Sequence, residues 1–249
     1  LEEYSGIAQE IRERIERRGG EVEVEELVAE FVSKFAVSET SVRMYAASPA
    51  FVLNDGRVRL RREDEPYVAD TRLSRVRGLY VRPEGEVTIE IEVDRDVLRG
   101  SGRQFYEAAA IALGIAPGSR RDFAFGDMSR VVVSWPETSV MGPTLGSVRQ
   151  AAVDLGLAEG ERFRLILDPR DGTARALPID SSSLAGLTGL EIDADNALTT
   201  LAMAMGVDAN EVRAALRARG DDEVLELLPA VRPSEDLAAA IDEFGDLLT

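Results

Sequence analysis

The sequence predicts a multidomain α+β protein, and three patterns carry that expectation. Residues 1–62 read as three helical segments closed by a β-hairpin, residues 72–178 repeat one strand, loop, helix and strand unit, and residues 187–249 are acidic and helical. Each part has its own charge. Basic and acidic side chains number 10 and 12 over residues 1–62, 15 and 19 over residues 63–176, and 4 and 15 over residues 177–249, which together make the net charge of −17. Acidity is therefore concentrated at the back, and any contact with nucleic acid belongs to the front.

The front segments follow from periodicity. From Glu2 to Arg18, Ile7, Ile11 and Ile15 recur every four residues among charges, and Gly19 and Gly20 end the run. A second helix is expected from Glu23 to Lys34, with Leu27, Val28, Phe31, Val32 and then Phe35 on one face and Glu25 and Glu26 in its first turn. Ser38 is a good N-cap for a third helix, which must stop before Pro49 because the residue preceding a proline avoids the helical region. Asn54-Asp55-Gly56 between alternating strands is then a strong hairpin signal.

Three helices and a two-stranded wing resemble the winged helix-turn-helix family, most closely through "SETSVRMYAASPAFVLNDGRVRLR", and the resemblance covers a quarter of the chain. It implies binding to duplex DNA, with the third helix in the major groove. If Val42, Tyr45 and Ala46 face the core, Thr40, Ser41, Arg43 and Met44 are left outward behind the capping Ser38. Alternation in the hairpin turns Val58 and Leu60 inward and sets Arg57, Arg59 and Arg61 on the outer face, where they suit a phosphate backbone. The same arginines also read as solvating an edge strand or pairing with the many nearby glutamates.

The middle is a duplication. A shift of 42 residues lays Leu113, Gly114 and Gly118 on Leu155, Gly156 and Gly160, Ala109-Ala110 on Ala151-Ala152, Gly100 on Gly142, and "TIEIEV" on "RVVVSW". Neither half can bury its apolar face alone, so the two are expected to pair about a pseudo-two-fold axis as one barrel-like core with two helices. "LGIAPG" and "LGLAEG", each followed by a strand, resemble AbrB-type swapped-hairpin barrels and their cradle-loop relatives. That likeness implies a barrel, with DNA as the ligand of many members and small molecules or proteins as those of others.

The loops of the two copies carry Arg99, Ser101, Gly102 and Arg103, and Gly146, Ser147 and Arg149. Placed at helix N-termini they would offer amides and positive charge to an anion. They match neither common phosphate-loop pattern, and glycine with serine before a helix is equally an ordinary turn and cap. Trp135, before Pro136, is expected in the core.

"LPIDSSSLAG" reads as a linker, followed by helical runs at 196–207, 208–220, 221–230 and 234–248. This acidic region is expected to self-pack and to offer a docking or oligomerisation surface to a protein partner.

With no His and no Cys, the chain has no zinc finger, Ser-His-Asp triad or Cys-His dyad. Carboxylate-metal nucleases survive that test, but "DPRDG" with Asp168 and Asp171 is a plain turn, so no enzyme, metal or cofactor is expected. No apolar run approaches a membrane span, and a cytoplasmic location is the default. Opening on Leu1 suggests a piece of a longer protein. The leading expectation is a DNA-binding regulatory or targeting protein. The alternatives are a non-catalytic protein–protein module of a larger transcription or nucleic-acid-processing assembly and, more weakly, an anion or nucleotide sensor.

Overall fold

A computed structural model describes residues 5–193 and 195–228. The front of the chain forms α1 (Ile7–Arg17), β1 (Glu21–Glu23), α2 (Val24–Phe35), α3 (Glu39–Ala46), β2 (Phe51–Asn54) and β3 (Arg57–Leu60). The strands make an antiparallel sheet in the order β1-β3-β2. Ile11, Ile15, Leu27, Phe31, Val42, Ala46, Phe51 and Val58 close one core between helices and sheet, and the fully buried Phe31 meets Phe35 edge to face. Asp55 and Gly56 take positive φ (48° and 77°), the two-residue turn that a tight hairpin requires. Strand β1 is an addition to the sequence reading. It comes from the Glu-Val-Glu alternation ahead of α2, with Val22 directly opposite Val58.

The chain from Arg61 to Val76 is strapped down rather than loose. Tyr67 packs edge to face on Trp135 at 5.5 Å and donates to Glu107 at 3.1 Å, and the Asp70 amide donates to the same carboxylate at 2.8 Å. The front unit also rests on the middle one, where the Ala50 amide donates to the Glu137 carbonyl at 2.9 Å.

The middle is an eight-stranded sheet curled into a half-barrel. Its elements are β4 (Leu79–Val81), β5 (Val87–Glu92), α4 (Arg95–Arg99), β6 (Arg103–Gln104), α5 (Glu107–Ala112), β7 (Ser119–Phe125), β8 (Ser129–Trp135), β9 (Thr144–Leu145), α6 (Arg149–Asp154), β10 (Arg162–Asp168) and β11 (Thr173–Pro178). The strand order is β4-β5-β10-β11-β7-β8-β9-β6.

The register carries the 42-residue duplication. Each copy's first strand pairs with the other copy's last: Ile89 lies opposite Leu165, and Val131 lies opposite Phe123. Adding 42 to one pair and subtracting it from the other interchanges them. The symmetry passes between β6 and β9, where Arg103 pairs with Leu145. It fails at one seam. Strand β9 pairs with β8, and the Gly146 amide donates to the Val132 carbonyl at 2.7 Å, but β6 forms no ladder with β5. The expected closed barrel is thus an open sheet with β4 and β6 at its edges. Gly146 has its counterpart in Gln104. A Cβ at Gly146 would sit 3.3 Å from the Val132 carbonyl oxygen, so the closed seam uses a glycine that the open seam lacks.

The last described part is helical: α7 (Leu184–Thr188), α8 (Ala197–Met205), α9 (Val212–Arg219) and α10 (Asp222–Leu227). The serine run expected as a linker instead caps α7, with the Ser183 hydroxyl accepting from the Gly186 amide at 3.0 Å. Leu187, Leu201, Met205, Val212 and Leu216 pack around Tyr80, which tethers these helices to the sheet. The helix expected at 234–248 lies outside the described residues. Among the described residues, no helix is long and apolar enough to cross a membrane.

Candidate nucleic-acid interface

Helix α3 is set by its ends. The Ser38 hydroxyl accepts from the Ser41 amide at 3.0 Å and lies 2.8 Å from the Ser41 hydroxyl, while the helix stops ahead of the buried Pro49. Val42 and Ala46 are buried against α2, and Tyr45 is partly buried. Thr40 and Met44 are exposed, and Ser41 and Arg43 are half-buried. The outward face of α3 therefore has the composition expected.

Its charge does not stand alone. Arg43 donates to Glu39 and to both oxygens of Glu25 at 2.8 Å, and these hydrogen bonds raise its pKa, Glu25 contributing most. The contact ties the N-terminal turn of α2 to α3.

The hairpin arginines divide three ways. Arg57 is exposed and pairs with Glu21 and, at 3.4 Å, with Glu23, and its pKa is raised chiefly by the Glu21 hydrogen bond. Arg59 makes two 2.7 Å hydrogen bonds to Glu65, which hold that carboxyl at about 2 instead of its ordinary 4.5. Arg61 turns back into the protein. It donates to the carbonyls of Pro49 (2.7 Å), Phe51 (2.9 Å) and Pro66 (3.3 Å) and stacks on Tyr67 with its guanidinium carbon 5.6 Å from the ring centroid.

Alternation located the outer face of the hairpin without showing what shares it. Because β1 joins the sheet, Glu23 lies opposite Arg57 and Glu21 opposite Arg59. The signal was the alternation at 21–23, carrying the opposite charge. The Arg57 contacts are exposed ion pairs, which salt screens and a phosphate can displace, whereas the Arg59–Glu65 pair is half-buried. Arg61 differs because its partners are main-chain carbonyls that anchor the strap.

The loops of the duplicated unit are brought together, though not as paired helix N-termini. Asp94 caps α4 by accepting from Val97 at 2.8 Å, and Gly100 ends that helix with φ 82°. Ser101 and Gly102 thus follow a helix C-terminus and lead into β6, while α5 starts only at Glu107. Asp94 and Gly100 were the cap signals that marked this helix. The Ser101 amide donates to Asp96, the Gly146 amide donates to Val132, and Arg103 bonds Asp94 at 2.8 Å, so these groups already have partners. Gly146 and Ser147 do precede α6, with the Ser147 hydroxyl accepting from the Arg149 amide at 3.3 Å. Arg99 and Arg149 remain exposed at this α4–α6 contact.

Trp135 is fully buried. "DPRDG" is the β10–β11 turn, in which Asp168 accepts from the Arg170 amide at 2.8 Å. Among the described residues, no group of three or more Asp and Glu side chains is placed to hold a metal ion.

Sequence reasoning missed a buried polar cluster between the sheet and the C-terminal helices. Asp221 accepts from the Gly78 amide (3.1 Å), the Tyr80 hydroxyl (3.2 Å) and Arg219. Arg164 donates to the Gly78 carbonyl at 2.5 Å and to Glu90 at 3.3 Å. Both guanidiniums lie over the Tyr80 ring, at 4.6 Å for Arg219 and 5.5 Å for Arg164. Burial pushes the Tyr80 phenol pKa up, so it stays a donor, and burial lowers the pKa of Arg164. No local pattern points to a cluster assembled from three stretches of chain, residues 78–90, 164 and 219–221, that lie up to 143 positions apart.

Comparisons with protein-family models, curated proteins and solved structures found no match.

Proposed function

We propose that the protein is a DNA-binding regulatory or targeting protein whose N-terminal unit is a winged helix-turn-helix. Helix α3 enters the major groove, and the β2–β3 turn serves as the wing. The observation that carries this reading is topological: α1-β1-α2-α3-β2-β3 with sheet order β1-β3-β2 packs α3 against α1 and α2 with Thr40 and Met44 exposed at its surface. Base contacts would come from Thr40, Ser41, Arg43 and Met44, and phosphate contacts from Arg57 after it exchanges Glu21 and Glu23 for the backbone. Few phosphates are neutralised, so affinity is modest and its salt slope shallow.

A second reading is a protein–protein module. The observation favouring it is electrostatic: Arg43, Arg57 and Arg59 are matched by glutamates, and Asp55 occupies the exposed hairpin tip.

The test is fluorescence anisotropy with labelled random duplex DNA across about 50 to 200 mM salt. DNA binding by α3 predicts a loss of roughly tenfold or more in affinity for Thr40→Glu with Met44→Glu, corresponding to about 1.4 kcal/mol or more. It predicts little change for Arg130→Glu, an exposed arginine of the half-barrel. Equal binding by all three proteins, or no binding at low salt, rejects the DNA reading and favours the module.

A further inference from the structure

We propose that the groove between the half-barrel and α10 docks a basic, amphipathic segment of a protein partner. It measures about 680 Å³, within the size range of built ligand sites. It runs between the turn entering β10, the end of β11 and α10. Leu157, Pro178, Ile179 and Leu227 give it an apolar strip within a mostly polar lining, and Leu227 is 37% exposed there although it belongs to a helix whose other face is core.

Charge selects the occupant. Glu161, Glu223 and Glu226 line the groove with one arginine, Arg162, whose two outer nitrogens are taken by Glu90 at 3.0 Å and Glu223 at 2.7 Å. Glu226 has no ion pair among the described residues. The groove therefore presents negative charge beside an apolar strip, which complements lysine or arginine flanking apolar anchors. The same complementarity argues against two other occupants. Residues 229–249 carry five acidic side chains and one arginine, and a second copy brings a net charge of −17. Like charge opposes both. The inference does not depend on whether the N-terminal unit binds DNA.

The experiment titrates the full chain with a fluorescein-labelled peptide of alternating Lys and Leu, beside Lys/Ser and Glu/Leu peptides of equal length. Each peptide is also tested on Glu161→Lys with Glu226→Lys and, separately, on Leu227→Ser, all three residues being exposed. Docking predicts that the Lys/Leu peptide binds the wild type roughly tenfold or more tightly than either control peptide, and that each variant loses a comparable factor while its circular dichroism spectrum stays that of the wild type. Equal binding of Lys/Leu and Lys/Ser peptides, undiminished binding by the charge-reversed variant, or no binding of the Lys/Leu peptide overturns the proposal. So does a dimer in sedimentation that dissociates on Leu227→Ser, which gives the groove to a second copy. Dihydrazide crosslinks joining Glu161 to Asp242 or Glu243 give it to the chain's own tail and overturn the proposal equally.

Discussion

Removing the carboxylate of Asp221 is expected to detach the C-terminal helices from the half-barrel. The side chain is 4% exposed and faces Arg219, whose side chain is fully buried. Asp221→Ala deletes the acceptor for the Gly78 amide and the Tyr80 hydroxyl and leaves Arg219 charged in a site that excludes water. The remaining neighbours do not compensate, because Glu90 and Glu223 are already engaged by Arg162 and Arg164. Breaking one side of a buried ion pair costs about 3–5 kcal/mol, and the orphaned donors place this case toward the upper end. The loss should appear as a matching drop in the opening free energy of α8–α10 amides in native-state hydrogen exchange, ahead of the half-barrel strands. Removing both charges while keeping an acceptor, as in Arg219→Met with Asp221→Asn, should cost clearly less than Asp221→Ala alone. A cost below about 1 kcal/mol for Asp221→Ala, or a double variant worse than that single one, refutes the reasoning.

Two further perturbations test other parts of the fold. The Glu65 carboxyl, held by Arg59 at about 2 instead of 4.5, should titrate near 2 in carbonyl-detected NMR and move back toward 4.5 in Arg59→Gln. Its folded pKa is depressed, so the pairing stabilises the fold above about 4.5 and is lost as pH falls through about 2; an unshifted titration of the wild type refutes the contact. Gly186→Ala places a Cβ 2.3 Å from the Asp180 carbonyl oxygen, so urea unfolding should show destabilisation of about 1–3 kcal/mol, and a neutral result would mean that α7 does not pack as described.

What the sequence made legible was local or repeated. Ile7, Ile11 and Ile15 marked α1, Ser38 and Pro49 bounded α3, and Asn54-Asp55-Gly56 placed the hairpin, because period, cap and turn chemistry act over a few residues. The 42-residue repeat predicted α5 and α6 as equivalents, and they span Glu107–Ala112 and Arg149–Asp154. Pairing across distance was not legible. Arg57 and Arg59 were placed on the correct face, but their partners Glu21 and Glu65 depend on a three-residue strand and on the path of the strap. Serines 181–183 misled because a Ser run serves a linker and a helix cap alike, and only the Gly186 amide distinguishes them. The tethering cluster was invisible because arginine and aspartate in an acidic tail read as solvated charge until Tyr80 and Gly78 are brought beneath them.

The broken symmetry of the half-barrel lies along the edge of β5. In the second copy β9 covers the edge of β8, while in the first copy the matching stretch of β5 after Ile89 has no ladder partner on that side. Gln104 and Arg103 stand where the closed seam has Gly146 and Leu145; the Gln104 side chain donates to the Met141 carbonyl at 2.9 Å, and a groove of about 420 Å³ lies between these residues and β5. Arg103 instead reaches across to the Glu92 carbonyl at 3.3 Å and to Asp94, which bridges the seam through a side chain. The two copies thus present equivalent edges, of which β8 is closed by β9 and β5 is bridged by the Arg103 side chain.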